Sequence, residues 1–224
     1  MGELLSRLLV FLRPFLDHQY HNVRCRLGSV LTNIFSLDVE FVGEGNANLS
    51  SPVERDFVQE ILPSLLCLGE ERQEVALDQR ESALRLLQTL SKWISSSTAT
   101  SLGPVKGETL RFLPFLLGYE WYDKDPQIAR DCQTTLSCLS RTPQPPGNIR
   151  IMIDILTKTL SSQSWKTRLS CLDFLQAVIF NNFIMFRSPN LTESDSLRRD
   201  VISVVLECLK DVQVEVRVKA AQVR

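Results

Sequence analysis

"LRPFLDHQYHNVRCRLGSVLTNIF", residues 12–35, decides the fold. It places a proline late in one apolar run, crosses a polar turn holding Asp17, His18 and His21, and reopens with Val23-Arg24 on a second apolar run. Those turn residues suit either a reactive centre or the hinge between two helices. Repetition separates the two. "GYEWYDKDPQIAR", "LSSQSWKTR" and "LKDVQVEVR" each leave a leucine-rich run, cross a polar turn and reach an arginine in the first turn or two of the next helix, and "ALDQR" is a further instance. The arginines are Arg24, Arg80, Arg130, Arg168 and Arg217, about 56, 50, 38 and 49 residues apart. HEAT and armadillo units recur at roughly 40–47 residues, and loops of unequal length account for the scatter.

Between the turns, apolar residues recur at helical spacing and no alternating strand-like runs occur. Ala83, Leu87, Leu90 and Ile94 fall at i, i+4, i+7 and i+11, one stripe of a 3.6-residue period. Pro14, Pro63 and Pro114 each come late in a first helix, and Pro126 opens a second helix, where its missing N–H has no partner to lose. First helices are expected over 4–16, 53–68, 108–117, 149–160 and 197–209, with partners over 22–37, 78–94, 126–139, 164–186 and 212–224. Glycine- and proline-bearing stretches 43–52, "SSSTATSLGP", "RTPQPPG" and "RSPNLTESD" read as loops. The helix over 165–186 is apolar on two faces, Leu169, Leu172, Ile179 and Phe183 on one and Cys171, Phe174, Val178 and Met185 on the other. It should be covered on both sides.

The expected architecture is all-α: a right-handed HEAT-repeat α-solenoid of about five helix pairs, 1–40, 53–97, 104–142, 145–187 and 193–224, the last one truncated. Each pair in such an array buries its apolar stripe only against its neighbours. The turn residues then become structural. Asp17 is expected to accept from free N–H groups at the next helix start, and Arg24 to reach an acidic turn in a neighbouring unit. Asp17, Arg24, Arg80, Asp125, Arg130, Arg168, Asp211 and Arg217 are the candidates for a ladder of acids and bases stacked unit on unit.

Composition excludes several functions. The chain has 224 residues, 44% hydrophobic, with 25 Lys and Arg against 26 Asp and Glu, so no global field draws it to nucleic acid or a membrane surface. Only "LRRD" and "EVRVKAAQVR" are locally basic, and both are interrupted by acids or apolar residues. The run "LLSRLLVFLRPFL" is broken by Arg7, Arg13 and Pro14 and lacks a small-residue cleavage site. "MGELLS" fits the loose myristoylation pattern, but Leu4 and Leu5 are wanted for a helix core.

Cys25, Cys67, Cys132, Cys138, Cys171 and Cys208 form no CxxC pair, and most sit inside apolar helical runs. That pattern reads as small buried hydrophobes in a reducing compartment. His18 and His21 are the only histidines, and no further ligand stands at zinc spacing. GxSxG, P-loop and GxGxxG motifs are absent; Gly43 and Gly45 lack the following helix and lysine. Cys25 lies near His21 but where the helix wants core. The expectation is a protein that is no enzyme, with no catalytic, cofactor-binding or metal residue and no cofactor.

"LRPFLDHQYHNVRCRLGSVLTNIFSLDVEF", "LQTLSKWISSS", "SSQSWKTRLSCLDFLQAVIFNNFIMF" and "LKDVQVEVRVKAA" carry more than a period. They resemble the carboxy-terminal part of the large HEAT-repeat proteasome activators, the proteasome activator complex subunit 4 family. The likeness runs in order along nearly the whole chain, includes Arg24 to Ser29, Trp93, Trp165 and the run from Phe180 to Phe183, and is weakest over 43–52 and 141–147. The resemblance implies an armadillo-like helical cap on the 20S proteasome core particle that opens its gate for peptides without ATP, in nucleus and cytoplasm. It also implies links to acetylated histone degradation, DNA repair and spermatogenesis. Two family features have no counterpart here: the Tyr-Tyr-Ala type tail that opens the gate, and the Asn-Phe pair assigned to acetyl-lysine reading. Asn181-Asn182-Phe183 matches a different segment, and no acetyl-lysine-binding residue is carried over. The expected function is a fragment or short paralogue of the activator in a structural, binding role; alternatively, a stand-alone HEAT-repeat adaptor for other proteins.

Overall fold

Leucine-rich stripes interrupted by capped polar turns can be buried only by laying helix on helix, and that is the arrangement found. A computed structural model describes residues 2–42, 57, 59–60, 77–100, 107–187 and 192–223. No strand occurs among the described residues. The helices are α1 (Gly2–Leu12), α2 (His21–Val42), α3 (Leu77–Thr100), α4 (Leu113–Tyr119), α5 (Pro126–Arg141), α6 (Pro146–Thr159), α7 (Trp165–Asn181), α8 (Phe183–Arg187), α9 (Thr192–Cys208) and α10 (Val214–Gln222). Short 3₁₀ turns, Arg13–Phe15 and Gly107–Phe112, follow α1 and precede α4. Most of the expected helix over 53–68 lies outside the described residues.

The helices form two layers. In the second layer, formed by the second helix of each pair, α2 packs on α3, α3 on α5, α5 on α7 and α7 on α10. In the other, α4 packs on α6 and α6 on α9. Cross-layer contacts join α1 to α2, α4 to α5, α6 to α7 and α9 to α10, the antiparallel partners of each pair. This is the all-α solenoid that the repeated turns require. Its main core runs across the pairs, and Leu172, Cys208, Val216 and Ala220 form a second, smaller cluster. Phe35 lies edge-on to Trp93 at 5.3 Å between ring centroids, and Trp93 lies edge-on to Phe112 at 6.5 Å. These aromatic contacts link three successive pairs, each worth about 0.5–1.5 kcal/mol beyond simple burial.

Close approach in the second layer depends on small residues. A Cβ added to Gly28 would lie 2.9 Å from the Trp93 backbone nitrogen and 3.0 Å from the Thr89 carbonyl oxygen. Around that crossing, hydroxyls bond backbone carbonyls of neighbouring helices. Thr89 donates to Leu16 O at 2.8 Å and Thr135 to Ser91 O at 3.0 Å, while the Ser95 and Thr135 hydroxyls meet at 2.7 Å. Buried hydroxyls are thereby satisfied without widening the crossing.

Several expected boundaries move. The helix expected to stop at 94 continues to Thr100, because Ser95 to Thr100 hold no glycine or proline and the Ser95 hydroxyl folds back onto Ser91 O at 2.9 Å. "RSPNLTESD" is helical from Thr192 onward. The single helix expected over 164–186 breaks at Asn182, so α7 ends there and a short α8 follows. Its apolar residues are not all covered. Cys171, Leu172, Phe174, Leu175 and Val178 are buried, but Phe180, Phe183 and Ile184 are exposed.

Candidate functional site

The turns that lead into second-layer helices carry one recurring device. The arginine six residues after a polar turn residue reaches back and donates to the two turn carbonyls. Arg24 Nη1 donates to His18 O and Gln19 O, Arg168 Nη1 to Ser162 O and Gln163 O, and Arg217 Nη1 to Asp211 O and Val212 O. The residue at the start of this bracket also bonds the turn from its side chain. His18 Nδ1 accepts from Tyr20 N–H at 3.2 Å, Ser162 Oγ from Ser164 N–H at 3.3 Å and Asp211 Oδ1 from Gln213 N–H at 2.8 Å. A side-chain acceptor two residues before the N-cap satisfies the N-cap N–H, which the helix leaves without a partner.

Between units the arginines differ. Arg168 Nε donates to Asp211 Oδ2 at 2.6 Å and Nη2 to Asp211 Oδ1 at 2.9 Å, a two-pronged pair joining the α7 turn to the α10 turn. The Arg168 hydrogen bonds hold the Asp211 carboxyl below its usual range, against the opposing effect of burial. Arg130 makes no such step. Serine stands at 162, the place Asp211 occupies one unit later, and Arg130 Nε bonds Pro126 O of its own helix at 3.2 Å. Asp125 caps α5 instead, accepting from Gln127 N–H at 2.8 Å and Ile128 N–H at 3.3 Å.

Asp17 does not cap α2. Its nearest basic group is Arg85, at 3.9 Å, and His18 takes the capping place. Arg24 reaches no acidic turn either. It is buried, and its Nη2 donates to the Gln88 side chain on α3. Burial, reinforced by Arg85, lowers its pKa. The Arg80 side chain lies outside what the structure describes.

The sequence places Cys25 near His21 but in the core, and the structure brings the two side chains into contact. Cys25 is half-buried rather than core, with its Sγ 3.2 Å from His21 Nε2 one helical turn away. Burial, and next the nearby Asp131, push the Cys25 thiol up, opposite to the shift an activated nucleophile needs. Among the described residues no group of three or more His, Cys, Asp or Glu could hold a metal ion, and no helix is long and apolar enough to cross a membrane. Asn182 serves structure: its Oδ1 accepts from Gln144 N–H at 2.7 Å and its Nδ2 donates to Val178 O at 2.9 Å.

Two hollows remain. A polar one of about 210 Å³ between α5 and α7 is lined by Glu120, Gln133, Ser137, Ser170 and Asp173. Burial raises the Glu120 carboxyl, offset by a hydrogen bond with Ser170, whose Oγ also accepts from Trp121 Nε1 at 2.9 Å. An apolar groove of about 440 Å³ runs between the ends of α7 and α10 and the side of α9, lined by Ile179, Phe183, Ile202, Val205, Leu206 and Val223. Arg187 and Arg198 border it, and the Arg187 guanidinium lies 5.1 Å from the Phe183 ring centre. Among the described residues this geometry offers surfaces.

No protein-family model matches the chain. Curated proteins do. The chain is 33% identical to proteasome activator complex subunit 4 of Bos taurus over 233 aligned residues, covering 98% of this chain. The Homo sapiens protein is 32% identical and subunit 4B of Danio rerio 34% identical over the same share. In each case the match spans only 12% of the relative's length.

Proposed function

From its membership of the proteasome activator complex subunit 4 family, as the counterpart of one segment of those proteins, we infer that this chain is a structural element of an ATP-independent cap on the 20S proteasome core particle. The observation that carries the inference is the match over 98% of the chain. A likeness limited to the helical period would follow the solenoid pattern alone; this one also spans the loops between units.

In this role the chain contributes rigidity and surface, not chemistry. The turns before α2, α7 and α10 are closed internally by Arg24, Arg168 and Arg217, which stiffens the array. Promotion of peptide and acetylated-histone degradation, residence in nucleus and cytoplasm, and ties to DNA repair and spermatogenesis belong to this proposal and rest on the family. The reading of a stand-alone adaptor is favoured by the apolar groove beside α9, which offers a docking surface with no need of a proteasome.

A graft tests the proposal. In the bovine relative, the aligned segment is replaced by this chain, and binding to purified 20S particles and hydrolysis of a fluorogenic peptide are measured. The expected result is that the hybrid binds and stimulates within about threefold of the parent. A folded hybrid that neither binds nor stimulates would favour the adaptor. The isolated chain, in molar excess, should give no stimulation, because cap affinity arises from many units engaging the ring together.

A further inference from the structure

The polar hollow of about 210 Å³ between α5 and α7 lies inside the array, with α3 packed beyond α5 and α10 beyond α7. Its walls sort by chemistry. Glu120, at the end of α4, and Asp173 of α7 bring carboxylates from two successive units to the lining. Ser137 and Ser170 add hydroxyls, and Leu136 and Phe174 add a wall of carbon. Among the described residues no lysine or arginine lines it. Asp173 pairs through Oδ1 with Lys219, which reaches it from α10, and still keeps 45% of its side chain in water. Burial raises the Glu120 carboxyl, its hydrogen bond with Ser170 works against that, and the like charge of Asp173 raises it further. Two carboxylates facing one small hollow favour a positive charge between them.

Trp121 makes the same point independently. Its Nε1 donates to Ser170 Oγ at 2.9 Å, and Ser170 is 1% exposed. The indole is thus pinned to a buried residue of the lining, yet 45% of it remains in water. A tryptophan ring fixed beside an acidic hollow attracts a cation by its electron-rich face as well as by the carboxylates. The hollow is formed between two second-layer helices, and α-solenoids present such faces to extended partners.

We propose that this hollow receives a lysine side chain of a partner protein, its ammonium between Glu120 and Asp173 and its methylenes along Leu136 and Phe174, beside Trp121. An ammonium is a compact charge with three donors, which suits two carboxylates and the Ser137 hydroxyl set around one space. A guanidinium is a planar fork that pairs edge to edge with a single carboxylate. The lysine stem lies on carbon while its head stays among charges. This site is independent of proteasome binding, and its failure leaves the proteasome reading untouched.

Titration of the full chain with a capped pentapeptide, one lysine centred among glycines, is the test, at constant ionic strength and followed by the indole N–H resonances. The chain has three tryptophans, and Trp93, 1% exposed, is the internal reference. Expected is a saturable shift of the Trp121 signal with a Kd of about 1–10 mM, the range of a single side chain, while Trp93 stays in place. Norleucine in place of the lysine keeps the stem and drops the charge, and should give no saturable shift. Glu120→Gln can keep the bond to Ser170 and should weaken binding at least about tenfold. Asp123→Asn removes a carboxylate of the same turn, 85% exposed, and should leave binding within about twofold. Circular dichroism checks that helicity is retained, and Asp173→Asn replaces Glu120→Gln if it is not, with the same loss expected. A Trp121 signal that never moves overturns the proposal. So do equal responses to the lysine and norleucine peptides, equal losses in Glu120→Gln and Asp123→Asn, or tighter binding of the arginine peptide.

Discussion

Arg168 and Asp211 hold the turn before α7 to the turn before α10 by two hydrogen bonds, 2.6 and 2.9 Å, with both side chains nearly out of water at 12 and 11% exposure. The same arginine closes its own turn on Ser162 O and Gln163 O. One side chain therefore fixes both the shape of a unit and its angle to the next.

Arg168→Ala should destabilise the fold by about 2–3 kcal/mol, since it strands a largely buried carboxylate and two carbonyls. The loss should depend on pH. Asp211 titrates lower folded than unfolded, so its contribution is complete above the ordinary aspartate range and fades as pH falls through its folded value. Urea unfolding of wild type and variant should show a constant gap from pH 7 to 5 and a shrinking one below about pH 4. A gap that is equal at all pH values would mean the ion pair contributes nothing.

Arg24→Ala should cost more than Arg217→Ala. Arg24 is 5% exposed and its loss leaves the buried Gln88 side chain short of a donor, at about 1–3 kcal/mol on top of the turn bonds. Arg217 serves its turn carbonyls alone and should cost about 1 kcal/mol. Paired thermal melts decide the order.

Gly28→Ala should destabilise by about 1–3 kcal/mol, because the new methyl meets backbone atoms of α3 at 2.9 and 3.0 Å rather than a yielding side chain. Gly118→Ala meets nothing within 4 Å and is the control, expected to be neutral or slightly stabilising. Equal melting temperatures for the two variants would contradict the close crossing of α2 and α3.

Cys132, Cys171 and Cys208 should resist alkylation in the native state. Burial pushes the Cys132 thiol up to about 12 and the Cys208 thiol to about 11, and raises Cys171 as well. At pH 8 the Cys132 thiolate is then about one part in ten thousand. Peptide mapping after brief iodoacetamide treatment should find these three unmodified until denaturant is added. Rapid labelling of Cys132 in the folded protein would place it outside the core.

The sequence by itself determined the all-helical class and the laying of helix on helix, because the stripe period and the polar turns are local features that repeat. Asp125, expected as a ladder member, instead caps the helix that starts at Pro126. The stripe Leu87, Leu90 and Ile94 reads as core, and all three are buried. What reads locally did not extend to partners across units. That Arg168 finds Asp211, while Arg130 turns back to Pro126 and Arg24 to Gln88, depends on which residue the neighbouring turn presents after stacking. The depth of Arg24 was set in the same way. Gly28 and the hydroxyls of Thr89 and Thr135 look unremarkable in a chain read one helix at a time. Only the crossing of second-layer helices shows that their smallness sets the spacing. Packing distance is a property of two surfaces at once, and one surface's sequence does not contain the other's position.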